Sequence, residues 1–239
     1  MLLLLTLVMA GTAIAEGALT ACYNPEFPSA VVEEHEPTGD EYFADAVFIG
    51  DSMMERVETL GEIPTANFVW MVGMSPASAG RKQFRVRGSE EKLTTYEMAA
   101  RYQPKKLYIL LGTNGLNNFP SQTILGDYER LADDLITHFP DALIYVIAPP
   151  PMSYKRMTGE NNIPAGRYRI FAEELKELAQ RRHFYYIDLY HLLIDGNGYL
   201  PSQYDSGDGY HLSPRAYTIF VDAVRRQTVP YPTLTEEGE

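Results

Sequence analysis

The chain has 239 residues, 45% hydrophobic and 22% charged, the proportions of an ordinary globular domain that can bury a core without disulfides or metals. Its 20 Lys and Arg stand against 32 Asp and Glu, a formal net charge of -12. That balance argues against the basic face that phosphate backbones need, so no nucleic-acid partner is expected, and it would slow strongly anionic substrates.

Residues 1–15 (MLLLLTLVMAGTAIA) carry no charged side chain and end in Ala13-Ile14-Ala15, an A-x-A cleavage pattern. The run is too short for a spanning helix. It predicts an export signal within residues 1–22 and an extracytoplasmic location. The single cysteine, Cys22, closes Leu19-Thr20-Ala21-Cys22, which resembles a bacterial lipoprotein box. Free secretion and lipid anchoring at Cys22 both stay open, and that anchor is the one membrane attachment the sequence suggests. Neither route leaves a second cysteine for an intramolecular disulfide. Residues 23–44 are acidic, Pro-bearing and aperiodic, and read as a tether.

A periodic α/β pattern then fills residues 45–228. Ala46-Val47-Phe48-Ile49 is a short apolar run, followed by a helical segment to about Leu60. Further apolar runs cover 67–72, 107–111, 143–148 and 184–187. Helix-like stretches cover about 92–102, 126–138 and 166–182, with a last one after Pro214. Phe171, Leu175 and Leu178 make one apolar stripe on the third of these. Continuous apolar strands alternating with helices imply a parallel sheet buried on both faces. The expected fold is a three-layer α/β/α sandwich with a five-stranded parallel sheet, flavodoxin-like in order. Residues 229–239 read as a polar tail.

Chemistry in such folds lies beyond the carboxyl ends of the strands. Gly50-Asp51-Ser52 follows the first strand, Gly73 the second and Gly112-Thr113-Asn114 the third. The loop before the last helix reads Asp208-Gly209-Tyr210-His211-Leu212-Ser213-Pro214. Each motif alone is weak; their order and their placement at strand ends are much stronger.

These four blocks resemble the SGNH (GDSL-like) hydrolase family, whose signature Ser, Gly, Asn and His match Ser52, Gly73, Asn114 and His211. The resemblance spans about residues 45–225. It implies a serine hydrolase acting on esters, with Asp208 as the acid three residues before the histidine. The sequence shows no nucleotide-binding glycine motif and no metal-ligand spacing, so no cofactor or metal is expected. The chemistry is coherent, because a serine hydroxyl is a poor nucleophile until an adjacent base takes its proton. His211 would be that base, and Asp208 would hold its tautomer. Fixed donors for the developing oxyanion would be the backbone N–H groups of Ser52 and Gly73 and the amide of Asn114.

Plainer readings compete. Ser52-Met53-Met54-Glu55 is also a capping box in which Ser52 would only cap a helix. Asn114 suits a turn, and the family pattern usually has an acid where this chain has Gly115. Among five histidines, His35 lies in the tether, and His138 and His183 sit near predicted helix ends. His191 is the rival to His211, because Asp188-Leu189-Tyr190-His191 has the same D-x-x-H spacing; packing against Leu192-Leu193-Ile194 explains it better. The basic run Arg81, Lys82, Arg85, Arg87 reads as a solvated face, with contact to an anionic polymer as the alternative. Pro149-Pro150-Pro151 through Pro164 reads as a wall of the substrate cleft or a rigid spacer.

Export and family together point to a small acyl ester, such as an acetyl group on a cell-wall or other glycan, as substrate. An O-acyltransferase with the same triad and a non-catalytic surface binding module are the alternatives.

Overall fold

The computed structural model describes residues 29–159, 163–164 and 166–231. The expected signal, Cys22 and the start of the tether lie outside the described residues. Among the described residues no helix is long and apolar enough to cross a membrane.

Five parallel strands form the main sheet: β1 (Ala46–Gly50), β2 (Asn67–Trp70), β5 (Lys106–Leu110), β6 (Leu143–Ile147) and β7 (Tyr185–Ile187). Between β2 and β5 a two-stranded antiparallel hairpin intervenes, β3 (Phe84–Arg85) and β4 (Lys92–Leu93). The order of the main sheet is β2-β1-β5-β6-β7. Strands β1, β5 and β6 are buried at every residue because helices cover both faces, which is why they read as unbroken apolar runs. The covering helices are α1 (Ser52–Leu60), α3 (Thr95–Ala100), α5 (Ser121–His138), α7 (Arg167–Arg182) and α9 (Pro214–Arg226). Four single-turn helices lie in the connections: α2 (Pro76–Ala79), α4 (Thr113–Leu116), α6 (Tyr154–Thr158) and α8 (Leu189–Leu193). The fold is therefore the expected α/β/α sandwich in flavodoxin-like order.

Register brings one ring from each strand into line. Phe68, Phe48, Tyr108, Tyr145 and Tyr185 occupy successive cross-strand positions, with neighbouring centroids 5.4, 4.5, 4.3 and 5.0 Å apart. Each such contact adds about 0.5–1.5 kcal/mol beyond area burial, so the row braces the sheet across its width.

Two expectations need correction. Residues 29–44 are not a free tether. The N–H of Tyr186 donates to the Ala30 carbonyl at 2.8 Å, and Val31 bridges Tyr186 in parallel, so this segment covers the open edge of β7. It then crosses to α9, where Arg225 donates to the Thr38 and Glu62 carbonyls and pairs with Asp40, and Phe43 enters the core. The predicted polar tail likewise starts inside the domain: Val229 is fully buried and its N–H donates to the Tyr145 hydroxyl.

Strand order reverses between β1 and β5, and that switch point opens the crevice where α/β sheets bind ligands. Ser52 follows β1 and Asn114 follows β5, so both stand at the crevice.

Candidate active site

Three distant stretches of chain meet here. Ser52 is the first residue of α1, and its Oγ lies 3.0 Å from Nε2 of His211. Nδ1 of His211 lies 2.6 Å from Oδ2 of Asp208. Burial pushes the Asp208 carboxyl up, but hydrogen bonds from the His211 ring and from the N–H groups of His211 and Tyr210 outweigh it and hold the group well below the usual carboxylate range. An ionised Asp208 needs a proton on Nδ1. Nε2 is then the acceptor, and the Ser52 hydroxyl donates to it.

The capping alternative for Ser52 resolves by one residue. Asp51 is the N-cap, its Oδ1 accepting the Met53 N–H at 2.9 Å, which leaves the Ser52 hydroxyl to His211. His191 and Asp188 repeat the local geometry, with Nδ1 2.9 Å from the carboxylate and the ring edge-on to Tyr190, as His211 is to Tyr210. Only His211 also meets a serine. The remaining histidines do structural work. His35 Nε2 is 2.9 Å from the Thr228 carbonyl, His138 stacks on Tyr96, and His183 ends α7 in a left-handed turn.

Asn114 joins all four motif blocks. Its Nδ2 donates to Oδ2 of Asp51 at 2.7 Å and to the Met74 carbonyl, next to Gly73, at 3.1 Å. Its Oδ1 accepts the Tyr210 hydroxyl at 3.0 Å. Both amide protons are thus engaged within the protein, unlike the open donor expected from the sequence. Gly73 is exposed with φ 77°, and no side chain crowds it. The space an acid would need at position 115 is filled: a Cβ there would lie 2.3 Å from the Ile124 side chain.

Asp51 and Tyr210 were missed in the sequence. Asp51 is 1% exposed, and burial lifts its carboxyl to about 6, against the hydrogen bonds from Met53 and Asn114 and the pull of His211. Its place at a buried strand end beside the serine was the available signal. Tyr210 gives none beyond an aromatic in a glycine-bearing loop.

The Pro149–Pro151 stretch leads into α6, and the Ser153 N–H donates to the Gly209 carbonyl at 3.0 Å. A cavity of about 600 Å³ lies between α6 and the Asp205–Gly209 turn, reaching Asp208. The predicted cleft wall therefore flanks the His211 loop. A Cβ on Gly209 would lie 2.4 Å from the Ser153 hydroxyl, so this contact requires glycine. No group of three or more His, Cys, Asp or Glu among the described residues is placed to hold a metal ion.

Comparison with known proteins agrees with this architecture. A GDSL-like lipase from Bacteroides thetaiotaomicron superposes with a TM-score of 0.59 at 14% identity, over 77% of this chain and 87% of that one. A candidate acylhydrolase from Bacteroides fragilis gives 0.59 at 15%, over 79% and 88%. An acetyl esterase variant with an acetate ion gives 0.52 at 13%, over 75% and 92%. At these identities the likeness shows the fold alone. No curated protein matches the sequence. Residues 48–219 match the GDSL-like lipase/acylhydrolase family, and the chain belongs to that family.

Proposed function

We propose that the protein is an exported serine esterase that removes small acyl groups, acetyl foremost, from carbohydrate or cell-wall glycan. The observation that carries it is the continuous line of Ser52 hydroxyl, His211 imidazole and Asp208 carboxylate at the switch point of the sheet. Ser52 Oγ attacks the ester carbonyl as its proton passes to Nε2 of His211, and Asp208 stabilises the imidazolium. The imidazolium returns the proton to the departing sugar oxygen. Water, activated by the same imidazole, then releases the acid from the acyl-enzyme.

Two oxyanion donors are the Ser52 N–H, which has no intrahelical acceptor at the first position of α1, and the N–H of exposed Gly73. Asn114 contributes a third by exchanging its 3.1 Å bond to the Met74 carbonyl for the oxyanion, while Asp51 and Tyr210 keep the amide plane in place. The acetyl assignment leans on the acetyl esterase sharing the fold, and the hydroxyl and charged side chains of Ser153, Lys155, Arg156, Asp205 and Asp208 beside α6 suit a hydrophilic substrate. Export, by secretion or through a lipid on Cys22, leans on the apolar start of the chain and its cleavage pattern.

Turnover of p-nitrophenyl acetate, with a Ser52→Ala control, tests the reading. Activity abolished in the control is expected, and equal rates would reject it. Free acetate released from a panel of acetylated glycans tests the substrate class.

A further inference from the structure

A second concave site lies on the far side of β2 from β1, roofed by the β3–β4 hairpin and bounded by the end of α3. It measures about 640 Å³, within the range of ordinary small-ligand sites. Trp70, Phe68, Phe84 and Tyr102 give it aromatic surface, and Tyr102 is 43% exposed. Three arginines stand around them, each already paired: Arg87 forks onto Glu58 at 3.0 and 3.2 Å and lies over the Trp70 ring, Arg85 meets Glu90, and Arg101 meets Glu91.

The site lies on the strand next to the one that ends at Ser52. Trp70 pairs with Gly50 across the parallel strands, two residues before Ser52, and the Met71 N–H donates to the Gly50 carbonyl. From Trp70 the chain runs through Val72 to Gly73. A substrate held at Ser52 would reach this groove by extending past the end of β2.

Its chemistry selects among occupants. An acyl chain would cover the aromatic carbon but leave the donors and acceptors of the three Arg–Glu pairs at the rim unused. A polyanion would find each guanidinium neutralised by its own glutamate, on a protein of net charge -12. A sugar ring fits both features: its C–H face covers aromatic carbon, and its hydroxyls find donors in the arginines and acceptors in the glutamates.

We infer that the groove between β2 and the β3–β4 hairpin is a binding subsite for the neutral sugar chain of the substrate. This rests on the esterase reading and gives it a direction, with the acyl-bearing sugar at Ser52 and the chain running over Trp70 and Tyr102.

Trp70 is the only tryptophan in the sequence, so its fluorescence reports occupancy of the groove without need of turnover. Full-length Ser52→Ala protein is titrated with partially O-acetylated xylo-oligosaccharides and fully N-acetylated chito-oligosaccharides of increasing length. A saturable fluorescence change that strengthens with length is expected, with Kd raised about tenfold by Tyr102→Ala. In the unsubstituted protein the same replacement should erase most of the advantage in kcat/KM of long over single-sugar esters, through KM rather than kcat. No change with either sugar series, while the unsubstituted protein turns over p-nitrophenyl acetate, would overturn the subsite and leave the esterase standing. No turnover of p-nitrophenyl acetate at all would instead count against the esterase reading. A response to polyglutamate or heparin that is lost in salt, with none to neutral sugars, would replace the sugar chain by an anionic polymer.

Discussion

Replacing Asp51 by Asn isolates the effect of a buried charge beside Ser52. Burial raises this carboxyl from 3.8 to about 6, so the folded protein holds the proton more tightly than the unfolded chain does. Stability from this group is complete below about pH 4, falls as pH rises towards 6, and is level above it. The gap is worth about 3 kcal/mol. The Asn side chain does not titrate. It also cannot accept from both Met53 and Asn114, which adds a pH-independent cost of about 1–3 kcal/mol. Urea unfolding of both proteins from about pH 4 to about pH 8 gives the difference curve. The variant should gain about 3 kcal/mol on the original protein across that range, from a lower starting point. Parallel curves would refute the idea that Asp51 is a strained buried anion at neutral pH.

Other residues carry their own outcomes. Asp208→Asn should lower kcat by roughly 10⁴-fold, the size seen when the aspartate of a protease triad is so replaced, and steady-state assay with p-nitrophenyl acetate reads it. Tyr210→Phe removes the hydroxyl on Asn114 Oδ1, so kcat should fall about tenfold with KM little changed, while urea unfolding shows a loss of about 1 kcal/mol. Gly115→Ala drives a methyl into Ile124 and should cost about 1–3 kcal/mol in unfolding, with part of that recovered on adding Ile124→Val.

The main strands were legible because burial on both faces leaves continuous apolar runs, and the switch point followed from their alternation with helices. The β3–β4 hairpin was not: its strands are two residues each, β3 lies in the basic run that reads as a solvated face, and β4 in what reads as the start of a helix. That helix begins only at Thr95, after a capping box of Thr94 and Glu97. Residues 29–44 hid for another reason. Their few apolar anchors, Ala30, Val32 and Phe43, are scattered among acids, so no period marks them.

Within the site, Ser52, His211 and Asp208 could be placed from motif order and from the D-x-x-H spacing. The spacing alone could not choose between His211 and His191, whose local geometry with an aspartate and a tyrosine is the same. Only the long-range meeting with Ser52 separates them. The role of Asn114 as a hub also depends on that convergence, because its three partners come from positions 51, 74 and 210.

The most direct test of the account is the mass of the protein during turnover of p-nitrophenyl acetate, quenched in acid and mapped by peptide. The account predicts one added acetyl group, on the peptide that begins α1 and at Ser52, absent from Ser52→Ala and strongly reduced in His211→Ala. Undiminished turnover by Ser52→Ala, or an acetyl group mapped to another residue as the kinetically competent intermediate, would contradict it.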